Sequence, residues 1–193
     1  MPKKETVAVI LPIVGFADWE LDLPLDIEET LSMSVLARAS EQLDEVRHLV
    51  LPPLRYTLGP SESSFFAMDP DSAHEALREV VVSIRESGFR KVVFYNSSPW
   101  NEELLNAAGR DLRIELGMQM FCINLAGMGL DLMPGRSSTR DACRLLGAGQ
   151  TTDPAKSVLE ESAGKLVSLL KEVVSRQPLA DGGAIPQKKG DEE

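Results

Sequence analysis

Five carboxylates, Asp18, Glu20, Asp22, Asp26 and Glu28, fall within eleven residues, directly after an apolar run and Gly15. Carboxylate oxygens at that density are the ligands a hard divalent cation such as Mg2+ takes. Acidic residues also belong in front of a helix for electrostatic reasons alone, because the N–H groups of its first turn carry partial positive charge. Other chemistries lack their parts. Metal-assisted hydrolysis needs several converging His, Asp or Glu ligands, and the chain has only two histidines. His48 is expected at the start of a strand, and His74 solvated in the first turn of a helix. There is no GxSxG elbow to raise a serine nucleophile, no GxxxxGK phosphate loop, and no GxGxxG after a strand. Gly127-Met128-Gly129 stands alone and is too short a signal to count.

The elements that must position the acidic stretch follow from periodicity. Val7, Val9 and Leu11 lie on one face of an extended run and Ala8, Ile10 and Pro12 on the other. A run apolar on both faces suits a central strand of a helix-covered parallel sheet. In such sheets the ligand crevice lies beyond the carboxyl ends of the strands, where Gly15 and the acidic residues sit. Ile27, Leu31, Val35, Ala39 and Leu43 then recur every four residues, predicting a helix from about Asp26 to Leu43. Asp26 suits its N-cap, and Glu28 and Glu29 suit the positive end of its dipole.

A strand over His48–Leu51 is expected next, stopped by Pro52 and Pro53. Residues 54–70 read as one long connection, in which Phe65, Phe66 and Met68 form either a lid or interface patch or a segment tucked onto the core. Asp71 or Ser72 is expected to cap a helix running to Ser87. A strand at Lys91–Tyr95 exits through 96–101 into a helix from about Trp100 to Glu115, ended by Gly117. The strand Met118–Ile123, a loop to Gly135 and a short helix over Thr139–Leu146 follow. Thr152-Asp153-Pro154 starts the last helix, with Asp at the cap and Pro at the first position, and it runs to about Arg176. The alternation predicts a single α/β domain over 1–176. The Gly-, Pro-, Lys- and Glu-rich stretch 177–193 is expected to be disordered.

With 20 basic against 30 acidic residues, the formal net charge is −10, which disfavours nucleic acid and anionic membrane surfaces as partners. No apolar run approaches the roughly 20 residues that span a bilayer. MPKKETVAV lacks the apolar block and cleavage site of a signal peptide. Cys122 and Cys143 are expected as reduced core thiols in a cytoplasmic protein.

Five segments together resemble the creatininase (creatinine amidohydrolase) family. LPIVGFADWELDLPLDIEE is similar to an opening motif that typically reads LPxGSxEQHGPHLPLxTD. HLVLPPLRY resembles the family's second strand, and GFRKVVFYNSSPWN its GxRxxxxxNGHGGN. GRSSTRDACRLL is similar to GHAGExETSLML, and TTDPAKSVLEESAGKL to GDPxxASxEKGxxL. The resemblance implies a three-layer α/β/α fold with a mostly parallel central sheet. It also implies a dinuclear metal site at the strand ends, hydrolysis of an amide or cyclic amide by metal-bound hydroxide, and a higher oligomer, often a hexamer.

Placed on the family pattern, the ligand positions hold other residues. Anchoring on Gly15 sets Asp18 at the family's Glu and Glu20 at its first His; anchoring on Leu23-Pro24-Leu25 sets Glu28 at its Asp. The His of NGHGGN falls on Ser98, the next variable ligand on Trp100, and the Glu of the HAGE segment on Thr139. A site of Asp18, Glu20, Glu28, Ser98, Trp100 and Thr139 is degenerate, since hydroxyls and an indole do not hold two zinc ions in the usual way. The expectation is therefore no cofactor, or at most one hard divalent cation at the acidic loop. Without cations, Asp18, Glu20 and Asp22 should fan out to solvent or gather around something positive.

Three functions compete on this reading. The first is a non-catalytic subunit, associating with itself or with a catalytically active creatininase-like homologue. The second is an amidohydrolase with a remodelled carboxylate site. The third is a small-molecule binding protein using the vestigial pocket, with Trp19 and Trp100 stacking on a planar ring.

Overall fold

A computed structural model describes residues 4–19, 23–43, 46–56, 58, 67–132, 137–147 and 152–176. Every strand pairing of the sheet among the described residues is parallel. β1 (Ala8–Val14) pairs with the whole of β4 (Lys91–Asn96), Ala8 opposite Lys91 through Ile13 opposite Asn96. On the other side of β1 lie β2 (His48–Val50) and, further along the same edge, β3 (Leu54–Arg55). β5 (Gln119–Asn124) pairs with β4, giving the order β2-β1-β4-β5 with β3 beside β1. The chain thus leaves β1 toward one edge and returns on its other side with β4. That reversal opens a crevice between the carboxyl ends of β1 and β4.

Every residue of β1 is buried, as the two-faced apolar run predicts. Ala8 and Ile10 pack into one core with α1 (Ile27–Glu41), α4 (Ser137–Gly147) and α5 (Asp153–Ser175). Val9, Leu11 and Ile13 pack into the other with α2 (Pro70–Glu86) and α3 (Glu102–Leu116). Helices on both faces make the expected three-layer α/β/α arrangement.

Local chemistry shifts several boundaries. Residues 54–70 are not all connection: Leu54–Arg55 forms β3 against Ile13 and Val14. α2 begins earlier than the sequence suggests, because Asp69, rather than Asp71 or Ser72, caps it. The Asp69 Oδ1 accepts from the N–H groups of Asp71 (3.0 Å) and Ser72 (3.2 Å), with Pro70 in the first helical position. A 3-10 turn at Pro99–Asn101 precedes α3. Thr152, not Asp153, holds the cap position of α5. His48 stands at the start of β2 as expected, its Nδ1 2.8 Å from the Val46 carbonyl. His74 is half-buried rather than solvated, its Nε2 3.6 Å from Asp111. Phe65, Phe66 and the 177–193 stretch lie outside the described residues.

Candidate functional site

The crevice between β1 and β4 is organised around one carboxylate. α1 begins at Ile27, so Glu28 and Glu29 both sit in its first turn, and they point opposite ways. Glu29 reaches outward, and Arg55 on β3 grips it in a fork, Nε and Nη2 each 2.7 Å from a carboxylate oxygen. Glu28 turns inward and is only 1% exposed. Its Oε2 accepts from the Gly15 N–H at 3.2 Å and from the Ser97 hydroxyl at 3.1 Å. Its Oε1 accepts from the Trp19 indole N–H at 3.0 Å.

The exit of β4 is built to meet this group. Ser97 N–H donates to Ile13 O at 3.1 Å, carrying the β1–β4 pairing up to the carboxylate. Asn96 is buried and folds the turn over itself: its Nδ2 donates to Ser98 O (2.7 Å) and Asn124 Oδ1 (3.0 Å), while its Oδ1 accepts from Ser98 N–H (3.2 Å). Ser98 is thereby held fully buried beside Glu28. Gly15 permits the approach: a β-carbon there would lie 2.7 Å from Glu28 Oε2 and 2.9 Å from both Cβ and Oγ of Ser98. Above the carboxylate the Trp19 and Trp100 rings stack on each other, centroids 4.8 Å apart and planes 27° off parallel. Arg140 ties α4 into the same corner through a 3.2 Å bond to Trp19 O.

The sequence-assigned positions are therefore only partly brought together. Glu28, Ser98 and Trp100 share the crevice. Asp18 is exposed to solvent. Thr139 is buried on α4, its hydroxyl 3.4 Å from Gly129 O. Glu20 lies outside the described residues, as does Asp22. Residues the sequence reading did not place at the site are Ser97, Asn96 and Arg140. Trp19, which only the binding-protein reading would stack on a planar ring, donates to Glu28 and faces Trp100.

Burial pushes the Glu28 carboxyl above the usual carboxylate range, with hydrogen bonds from Trp19, Ser97, Gly15 and Ser98 pulling it partly back. A raised folded value means that the folded chain holds this proton more tightly than the unfolded one. Its contribution to stability is then fully present below about pH 4.5 and falls as pH rises through the folded value. Relative to Glu28→Gln, which cannot ionise, the native chain should lose stability as pH is raised from 4.5 to 7. Urea midpoints of the two proteins across that range check this, and parallel midpoint curves would contradict it.

The donors around Glu28 also limit its chemistry. N–H and O–H groups aim their hydrogens at the carboxylate, which satisfies a buried acid and opposes a cation at the same oxygens. Among the described residues, no three His, Cys, Asp or Glu side chains are grouped so as to hold a metal ion.

Comparison with known proteins gives these positions a context. The family model described as creatininase, creatinine amidohydrolase, matches residues 3–165. No curated protein sequence matches the chain. A structure from Bacteroides fragilis NCTC 9343, described as a creatinine amidohydrolase, superposes with a TM-score of 0.68 at 14% identity, covering 91% of this chain and 92% of that one. A creatininase in its Mn form superposes with a TM-score of 0.65 at 13% identity, and a Zn-Zn type creatininase mutant with 0.63 at 14%; each covers 89% of this chain and 92% of the other. These two structures correct the sequence reading: the expectation of no cofactor, or of one hard cation at the acidic loop, gives way to a fold whose solved examples include an Mn and a Zn-Zn creatininase.

Proposed function

The chain belongs to the creatininase family, and from that premise we propose that it is a non-catalytic member in which the metal-centre positions have become a structural hydrogen-bond cluster. It serves as a subunit that associates with itself or with an active homologue. The observation that carries this reading is Glu28, buried and surrounded by the Gly15, Trp19 and Ser97 donors beneath a closed tryptophan pair. A dinuclear centre needs several anionic or imidazole ligands converging on one space. The described residues offer one carboxylate there, a serine at 98, and a threonine at 139 bonded elsewhere. Those described residues do not fit such a centre. Trp19 and Trp100 each spend one ring face on the other, which supports the subunit over a small-molecule binding protein that would stack them on a planar ligand.

Among the described residues, no helix is long and apolar enough to cross a membrane. Cys122 and Cys143 are free thiols, pushed up by burial to about 11 and about 12. Inert, reduced thiols agree with a cytoplasmic setting.

The test is a hydrolysis assay on creatinine and other cyclic amides, with the full chain supplied with Mn2+ or Zn2+ and compared with Glu28→Gln. The expected result is no turnover in either protein. Metal-dependent turnover lost in Glu28→Gln would overturn the reading in favour of a hydrolase with a remodelled carboxylate site. Native mass spectrometry checks association: a protein that stays monomeric alone and with an active homologue contradicts the subunit role.

A further inference from the structure

Among the described residues, β5 pairs with β4 on one side and with no strand on the other, so its outer edge ends the sheet. Hydrogen bonding fixes which groups that edge presents. Gln119 N–H donates to Arg90 O (2.8 Å) and Leu125 N–H to Asn96 O (2.9 Å), both toward β4. In a parallel strand each residue points its N–H and C=O the same way, and successive residues alternate sides. Met120, Cys122 and Asn124 therefore turn their backbone groups outward. Met120 O gives independent support, since it accepts from Arg113 Nη2 at 2.6 Å from outside the sheet. Beyond that capped carbonyl, Cys122 and Asn124 offer a short ladder that no described strand pairs.

A cleft of about 350 Å3 runs along this edge between α3 and the end of α5, and a neighbouring one of about 170 Å3 shares Arg113, Phe121 and Arg176 with it. Three arginines line it, Arg110, Arg113 and Arg176, against one acid, Glu172. On a chain of net charge −10 that is a local reversal of sign. Two of the guanidiniums are held in place: Arg113 by Met120 O, and Arg176 by Glu172 and by the Phe121 ring, 5.7 Å from the guanidinium carbon. Arg110 is exposed. A second copy added edge to edge about a two-fold axis would set these guanidiniums against their own counterparts, so charge disfavours that occupant.

We propose that the outer edge of β5 accepts an extended, acidic segment of another polypeptide as an added strand. Its backbone pairs with Cys122 and Asn124, and its carboxylates meet Arg110, Arg113 and Arg176. Main-chain bonds then supply affinity, and the arginines select for charge. The inference does not rest on the reading of Glu28.

The test uses the full chain and a fluorescein-labelled hexapeptide of alternating valine and acid, Val-Glu-Val-Asp-Val-Glu, with a lysine-for-acid peptide as control. Expected are saturable anisotropy with the acidic peptide alone, and slowed hydrogen exchange at the Cys122 and Asn124 amides on binding. Paired charge reversal, Arg110→Glu with Arg176→Glu, should weaken binding about tenfold or more. Cys122→Pro removes an outward N–H that no bond to β4 uses, and should abolish binding. Should that variant fail to fold, the arginine variants decide the matter. Absence of saturable binding, equal binding of the lysine peptide, or indifference to the arginine variants overturns the proposal. So does protection of both amides in the free chain, whether constant, which places the chain's own residues on the edge, or rising with protein concentration, which places a second copy there.

Discussion

Gly15→Ala should destabilise the chain by about 3 kcal/mol, at the upper end of what overpacking costs in a core, read as a fall in the urea midpoint at unchanged slope. At an unstrained position the same substitution commonly stabilises, by about 0.4–1 kcal/mol, because alanine restricts the unfolded chain. Sterics reverse the sign here. The new methyl would stand 2.7 Å from Glu28 Oε2 and 2.9 Å from Ser98 Cβ and Oγ. Neither neighbour yields easily: Glu28 is fixed by the Trp19 and Ser97 donors, and Ser98 by the Asn96 side chain bonding its backbone on both sides. Moving Glu28 instead would leave buried donors without an acceptor, which costs about 1–3 kcal/mol for each. Ser98→Gly removes two of the three clashing atoms, so the double variant Gly15→Ala with Ser98→Gly should recover part of the loss. That favourable coupling distinguishes a direct clash from a general intolerance at 15. Strictly additive losses would refute the geometry.

Gly15, Glu28 and Ser98 also show how far the sequence reaches. β1 was legible because its seven residues are buried on both faces, a pattern few other elements write. α1 was legible from its four-residue stripe, although it ends at Glu41 rather than Leu43. The inward turn of Glu28 was not. A glutamate in a first helical turn ordinarily serves the dipole from solvent, as Glu29 does with Arg55, and the two residues are neighbours of identical type. What separates them is a partner 69 residues away, Ser97, and the missing side chain at Gly15, neither of which a local pattern encodes. The Trp19–Trp100 stack is likewise a contact without a spacing rule. β3 was missed because two residues are too short for any period to register. The family resemblance marked positions 28, 98, 100 and 139 as formerly equivalent, but only the fold reveals that the hydroxyl at 139 turns to Gly129 while the one at 98 stays with the carboxylate.

The other large effect lies at the opposite end of the sheet. Lys91 opens β4 and is 1% exposed, and its Nζ donates to three carbonyls: Val173 O at 3.3 Å, Val174 O at 2.8 Å, and Arg176 O. These belong to the end of α5, where helical carbonyls lack intrahelical donors and carry partial negative charge. One buried ammonium thus closes a 23-residue helix onto the strand that positions Ser97 and Ser98. Lys91→Ala strands those carbonyls and empties the space of the aliphatic stem, and should cost about 3–4 kcal/mol. Lys91→Met keeps the stem and loses only the donors, so it should cost about half as much. In both variants hydrogen exchange should accelerate first in the last turns of α5, through Val173–Ser175, while β1 amides hold until global unfolding. Equal losses for alanine and methionine would assign the whole effect to the donors. Loss of protection beginning in β4 would mean instead that Lys91 stabilises the strand and not the helix it caps.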